Sequence, residues 1–385
     1  MGLRPDAPDL ADAAAAWSAA YVHVPFCARV CPYCDFAVVA GRDNETARYI
    51  AAVEREIESE PGWDPLASVY VGGGTPSQVD PAFLGRLLTA LNQRFGIEPD
   101  AELSLEANPE DWSPARAEHL RRWGFNRVSF GGQSFSGHVL LSLGRRHQPS
   151  DIRRAVLEAR EAGFASINLD LIYGTPGESV DDWRRSLETA IDLDPDHVSC
   201  YALTVESGTE LARSIKSGAQ APDPDRQADE YELAVEVLGN AGLTRYEVSN
   251  WARPGHAVRY NLTVWARGSY LAFGMGAHRF RNPVRSHNVR RLDTYLEVIE
   301  GNQSPVAGTE TLGEWEAEVE RVFLGIRRVA GVVAGRAGQA LLASAEGQAL
   351  REAGVVVRAG DRLVVTRPLL TDAVARALLG LPAPA

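Results

Sequence analysis

The sequence predicts an α/β fold, a partial (β/α)6 barrel followed by a small C-terminal winged-helix-like module. Three observations carry that expectation. Strand-like and helix-like runs alternate about six times across residues 21–220, three of the four cysteines follow the first strand-like run directly, and the chain ends in helices around a two-stranded hairpin. Strands separated by helices of this length imply parallel βαβ units. Several such units in succession curl into a barrel or part of one, with its site at the carboxyl ends of the strands.

Residues 1–20 are expected to form an N-terminal extension. The run LADAAAAWSAA leans apolar, but two Asp lie near it and no basic region precedes it, so it reads as neither a signal peptide nor a membrane span. The first strand comes from the apolar run that begins at Tyr21. Helix TARYIAAVEREIESE then leads to strand ASVYVGGGTP, AFLGRLLTALNQRFG to AELSLEANP, ARAEHLRRWG to RVSFGGQSF, DIRRAVLEAREAGF to SINLDLIYG, and VDDWRRSLETAIDL to HVSCYALTV.

From about Pro222 the rhythm changes, and residues 221–305 read as a connecting helix and a pocket-lining segment. DPDRQADEYELAVEVLGNAG is an amphipathic helix whose acidic first turn suits the helix dipole. Strand-like RYEVSNWA follows. From Arg259 to Phe280, aromatics and glycines mix without a clean period, which predicts a pocket-lining loop rather than a helix. Residues 306–385 form the terminal module: helix TLGEWEAEVERVFLGIRRV, the stretch AGQALLASAEGQALREAG, the hairpin VVVRAGDRLVV and helix PLLTDAVARALLG. Such modules often read DNA, but the acidic balance and the lack of a basic recognition helix favour a structural or lid role.

Composition narrows the partners. An apolar fraction of 45% and a charged fraction of 23% are ordinary for a soluble globular protein. A net charge of −12 argues against nucleic acid, because phosphate binding needs an excess of Lys and Arg on one face. Four cysteines, three of them in one loop, point to a reducing cytoplasm.

The loop CARVCPYC places Cys27, Cys31 and Cys34 in the pattern C-x3-C-x2-C. Structural zinc takes four protein ligands, so three thiolates on one loop are one too few. A 4Fe-4S cluster is normally held by four thiolates, and a loop that supplies three leaves one iron open to a substrate or cofactor. A disulfide plus a spare thiol is the bland alternative, which an odd trio argues against. Pro32 and Tyr33 fit a tight, shielding loop, while Cys200, inside HVSCYALTV, reads as a small core residue.

Polar and glycine residues gather at the strand ends: Gly72, Gly73, Gly74 and Thr75, then Glu106 and Asn108, then Gln133, then Asp170 and Tyr173. Each alone is an ordinary turn former. Together, beside the cysteine loop, they mark one site. Consecutive glycines let backbone approach a ligand without side-chain obstruction, and Pro76 stiffens the exit.

With these residues in view, the chain resembles the radical S-adenosylmethionine (SAM) superfamily through C-x3-C-x2-C. Within it, the chain is similar to the HemN/HemW group, the oxygen-independent coproporphyrinogen III oxidases and their haem-chaperone relatives. YVHVPFC, CPYCDF, GGGTPS, EANPE, GGQSF, LGRRH, NLDLIYGTPGE and GMGAH carry the likeness along nearly the whole chain. The resemblance implies a radical SAM partial barrel, a 4Fe-4S cluster on Cys27, Cys31 and Cys34, and SAM chelating the free iron. It further implies that Tyr21, Tyr33, Gly73, Gly74, Thr75, Glu106, Gln133, Arg145, Asp170 and Ala202 line the SAM site. In the family, the reduced cluster passes an electron to the sulfonium and releases a 5'-deoxyadenosyl radical. Gly73 and Gly74 would offer backbone groups, Glu106 and Asp170 would accept from hydroxyls or an ammonium, and Arg145 would pair a carboxylate or stay a solvated charge.

Two features favour the chaperone branch over the oxidase of porphyrin biosynthesis. Phe36 stands where the oxidase carries a further cysteine, and only Met1 to Ala20 precede the first strand. The implied partners are haem or porphyrin, a haem-acceptor protein, an electron donor and a peripheral membrane contact. One departure concerns haem: the chaperones' HNxxYW segment reads Tyr260-Asn261-Leu262-Thr263-Val264-Trp265 here. Tyr260, as a tyrosinate, or the nearby His256 or His278 are the candidate haem ligands. No catalytic residue is assigned.

Overall fold

The computed structural model describes residues 12–383, so most of the expected N-terminal extension lies outside the described residues. Strands β1 (Ala19–Val24) and β2 (Phe26–Cys27) enter the cysteine loop and β3 (Val39–Ala40) leaves it. Helices and strands then alternate through α1 (Thr46–Ser59), β4 (Leu66–Gly73), α2 (Pro81–Phe95), β5 (Ile97–Ala107), α3 (Pro114–Arg122) and β6 (Arg127–Gln133). The series continues with α4 (Gly137–Ser142), α5 (Pro149–Glu161), β7 (Ser166–Tyr173), α6 (Val180–Asp192), β8 (His197–Ala202), α7 (Glu210–Lys216) and α8 (Pro224–Asn240). Next come β9 (Thr244–Arg245), β10 (Asn250–Ala252), α9 (Arg259–Trp265), β11 (Tyr270–Phe273), β12 (His278–Arg281), β13 (Val284–Asn288), α10 (Leu292–Glu300) and β14 (Val306–Thr311).

Helix starts follow the capping chemistry of the sequence. The Asp80 carboxylate accepts from Ala82 N–H at the head of α2, and Ser179 and Asp182 form a reciprocal capping box at the head of α6. Helices α1, α2, α5 and α6 each bury an apolar face in the core against the sheet. No helix among the described residues is long and apolar enough to cross a membrane.

The main sheet runs β14-β13-β12-β11-β1-β4-β5-β6-β7-β8-β10-β9. The pairs from β11 through β8 are parallel, and the strands flanking them at both ends are antiparallel. The parallel run thus holds one strand more than the six expected. That strand, β11, comes from the segment expected to be a loop, and the expectation is corrected: Arg259–Trp265 is helical and Tyr270–Phe273 pairs with β1. A four-residue strand is too short to show a period, and Leu271, Ala272 and Phe273 are fully buried. Burial on both faces erases alternation.

Elsewhere the pleat sorts the side chains cleanly. Val22, Val69, Val71, Leu103, Leu105, Val128, Phe130, Ile167, Leu169, Val198 and Cys200 enter the large core with the helices. Cys200 is 1% exposed there, as expected of a core residue. The alternate residues form a polar lining: Asn168 donates to Ser129 at 2.6 Å and to Ser199 at 3.1 Å, and His197 Nδ1 meets Asn168 Oδ1 at 2.6 Å. Successive side chains point to opposite faces of a strand, so one face feeds the core and the other the interior of the curved sheet.

The terminal part holds α11 (Glu314–Gly325), β15 (Val332–Val333), α12 (Gly335–Ala343), α13 (Ala345–Glu352), β16 (Val356–Ala359), β17 (Arg362–Val365) and α14 (Thr371–Leu379). Its sheet runs β15-β17-β16, and its buried residues, Val322, Leu341, Leu363 and Leu378 among them, form a second core. Helices backed by a small antiparallel sheet give the winged-helix-like form. It meets the larger part where Arg267 pairs with Glu320 at 2.7 Å and the Arg327 guanidinium lies over Trp265.

Candidate functional site

The cysteine loop is pinned on several sides. Tyr33 packs against Val139, Leu143, Ile172 and Leu203, Leu211 N–H donates to Pro32 O at 2.8 Å, and His23 Nε2 meets Ala37 O at 2.7 Å. Inside the loop, Cys34 N–H donates to Cys31 O at 3.0 Å. All four cysteines are free. Cys27, Cys31 and Cys34 open into one cavity of about 710 Å3, whereas Cys200 faces away into the core. Three thiols on one wall with no fourth in reach fit a cluster that keeps one iron uncapped. Among the described residues no three His, Cys, Asp or Glu side chains close on a single-ion position.

Polar groups hold the thiols in place. Thr75 Oγ1 donates to Cys27 Sγ at 3.5 Å and Arg145 Nη1 to Cys31 Sγ at 3.6 Å. Burial pushes the Cys27 thiol up to about 11, against the opposing effect of the Thr75 hydroxyl, and burial raises the Cys34 thiol as well. A metal that binds here must therefore displace protons.

The strand ends complete the wall. Gly73, Gly74, Thr75, Glu106, Gln133, Arg145, Asp170 and Ala202 all line the same cavity, as does Tyr33. Of the positions expected around SAM, Tyr21 alone sits behind it, its ring stacked on Tyr70 at 6.2 Å and its hydroxyl 3.1 Å from His23 Nδ1. Gly73 N–H donates to Glu106 Oε2 at 3.0 Å and Gly74 N–H to Val24 O at 2.8 Å. The glycines' N–H groups are thus already engaged. Their small size has a second cause: a Cβ on Gly74 would lie 2.6 Å from Pro25 O, where the chain passes into the cysteine loop.

Arg145 is no solvated surface charge. Its Nη2 donates to Asn108 Oδ1 at 2.5 Å and to Gly131 O at 3.0 Å, and its buried Nε has no partner. Gln133 holds a positive φ of 61°, a region non-glycine residues rarely occupy, which turns its side chain to the cavity. Asp170 accepts from Ser129 at 2.6 Å and from Asn168 at 2.8 Å. Burial and the neighbouring Asp170 charge raise the Glu106 carboxyl to about 7, and burial raises Asp170 too.

Asn108, expected at the site from its strand end, lines the cavity, and so do Tyr70, Ser129 and Tyr201, which the sequence did not single out. The signal for these three was the period-two recurrence of polar residues along β4 to β8. The candidate haem ligands lie elsewhere. Tyr260 belongs to a ring cluster with Tyr21, Tyr70 and Tyr270 and lines a second cavity of about 240 Å3 with Glu247, Asn250 and Trp265. Burial pushes its phenol well above the usual range, which opposes a tyrosinate. His256 lies 3.8 Å from Asp196, and exposed His278 stacks on His287 at 5.2 Å. Neither histidine lines either cavity.

A model of the radical SAM superfamily matches residues 21–190. The haem chaperone HemW of Mycobacterium tuberculosis is 44% identical over 371 residues, spanning 94% of both chains. That of Bacillus subtilis is 34% identical over 318 residues, 81% of this chain and 84% of the relative. The solved structure of the Escherichia coli coproporphyrinogen III oxidase HemN, described as a radical SAM enzyme, covers 95% of this chain and 92% of its own with a TM-score of 0.82. At 23% identity that likeness is one of fold. With three thiols on one cavity wall and relatives aligned along almost its whole length, the chain belongs to the radical SAM superfamily and, within it, to the group of the HemW haem chaperones.

Proposed function

We propose that this protein is a cytoplasmic haem chaperone of the HemW type, which holds a 4Fe-4S cluster, SAM and haem and delivers the haem to an acceptor protein. The observation that supports it most is the single cavity shared by the three free thiols and the strand-end residues, in a chain matching haem chaperones over nine-tenths of its length. Cys27, Cys31 and Cys34 would hold the cluster, which when bound supplies an electron to a sulfonium cofactor. Thr75 and Arg145 orient two of the thiols, while Glu106 and Asp170 offer carboxylate oxygens to hydroxyl or ammonium groups of SAM.

Haemin titrated into the anaerobically reconstituted protein is expected to give a stoichiometric Soret shift. Absence of that shift overturns the reading. Incubation of the reduced protein with SAM and coproporphyrinogen III is expected to yield no protoporphyrinogen IX; its appearance would make the chain an oxidase of porphyrin biosynthesis instead.

Glu106 gives a pH test of the SAM site. Its carboxyl is raised to about 7, so its contribution to stability is present below the unfolded carboxylate range and lost as pH rises through about 7. Binding of a donor-bearing ligand runs the other way, because it needs the ionised form. SAM affinity is expected to rise about tenfold from about pH 6 to about pH 8 in the wild type, following the ionised fraction, and to stay flat in Glu106→Gln. Equilibrium dialysis across that range measures it, and a sloped variant would remove Glu106 from the site.

A further inference from the structure

Two arginines at the thiol cavity carry no partner. Arg29 and Arg146 both line it and both are exposed, and neither makes a hydrogen bond or ion pair among the described residues. Arg145, beside Arg146 in sequence, is by contrast tied to Cys31, Asn108 and Gly131. The Arg29 guanidinium reaches across to Gly144: a Cβ built there would lie 2.8 Å from its Nη2, and the φ of 68° favours glycine in any case. Gly144 is two residues before Arg146. The Arg29 guanidinium therefore lies beside the chain segment that carries Arg146, and both residues line the cavity.

Apolar surface is left open beside them. Phe36 is 68% exposed and Val30 47%, and both line the same cavity. Asp35 and Glu206 line it as well, so the mouth is not uniformly positive and recognition must rest on local pairing. A bare aromatic and a valine flanked by two unengaged guanidinium forks are complementary to a flat apolar molecule with two carboxylates. The smaller cavity at Tyr260, at about 240 Å3, falls below the roughly 300–1,000 Å3 that larger ligands occupy.

We propose that haem docks across the mouth of the thiol cavity, its ring on Phe36 and Val30 and its two propionates on Arg29 and Arg146. This rests on the haem-chaperone reading and deepens it, placing the ligand by the cysteine loop rather than at Tyr260. Binding forms no covalent bond and transfers no electron; two carboxylates exchange water for guanidinium N–H donors.

The test compares haemin with its dimethyl ester, which keeps the ring and removes both charges. Each is titrated into the cluster-loaded full chain and followed by the Soret band. The wild type is expected to bind the free acid at least about tenfold more tightly than the diester, and Arg29→Gln/Arg146→Gln to erase that preference. Phe36→Ser is expected to weaken both forms by a similar factor. A wild type that binds both forms alike, or a double variant that keeps the preference, overturns this placement. A wild type that binds neither form defeats the chaperone reading and the placement with it. If the double variant does not load its cluster, the wild-type comparison decides by itself.

Discussion

Cys31→Ser abolishes the iron–sulfur chromophore: after anaerobic reconstitution the variant is expected to hold close to no iron or sulfide, against about four of each per chain in the wild type. The physical reason is the absence of a substitute ligand. Cys200 is the remaining thiol, 1% exposed and packed in the helix-side core. Serine replaces a half-buried side chain whose polar contacts, with Arg145 and Tyr33, a hydroxyl can also make, so the fold should lose less than about 1 kcal/mol. Loss of cluster without loss of fold is therefore the signature. Cys200→Ala supplies the complement, with the cluster kept and some stability lost from a small cavity. Iron and sulfide assays beside far-UV circular dichroism read both. A Cys31→Ser protein that retained four irons would take the cluster off this loop.

How much of this was legible in the sequence depended on the length of each signal. The helices between β4 and β8 carry apolar stripes long enough to declare themselves, and their caps, Asp80 and Ser179, stand in plain view. The thiol trio is local, so its spacing was sufficient. The cavity wall was only half legible, because a strand end shows that a polar residue is present but not where its hydrogen bonds go. Nothing local told that the Gly73 N–H is taken by Glu106, or that Arg145 turns inward to Cys31. Strand β11 was hidden because four residues hold no period and its parallel partner, β1, lies about 250 residues away, as the pairing Ala19 to Tyr270 shows. Haem ligands were the least legible. Tyr260 fits a motif position, yet its environment, three other tyrosine rings and a raised phenol, exists only after folding.

A second long-range contact carries the other large expected effect. Glu56, on α1 and 2% exposed, accepts from four groups far along the chain: Gly274 N–H at 2.8 Å, Arg279 at 3.1 Å, Asn288 at 2.7 Å and Tyr295 at 2.7 Å. These donors belong to the turn after β11, to β12, to β13 and to α10, so one carboxylate ties two strands of the antiparallel extension and the helix after them to the first helix. Glu56→Ala strips all four donors at once. Removing one member of a buried ion pair typically destabilises by about 3–5 kcal/mol. Arg279 keeps Glu60 at 2.5 Å, which favours the lower end of that range. Glu56→Gln keeps the volume and part of the network, and about 1–2 kcal/mol should be lost. Urea unfolding of the apo chain measures both, as a shift in midpoint at unchanged slope. The damage should also reach the cysteine loop, because Met275 N–H donates to Tyr49, whose hydroxyl donates to His23 O, and Gly276 lies so close to Ala37 that a Cβ there would come within 2.8 Å. Glu56→Ala protein is thus expected to lose its cluster faster under air than Glu56→Gln. An alanine variant within about 1 kcal/mol of the wild type would mean that the extension is held by its strands alone.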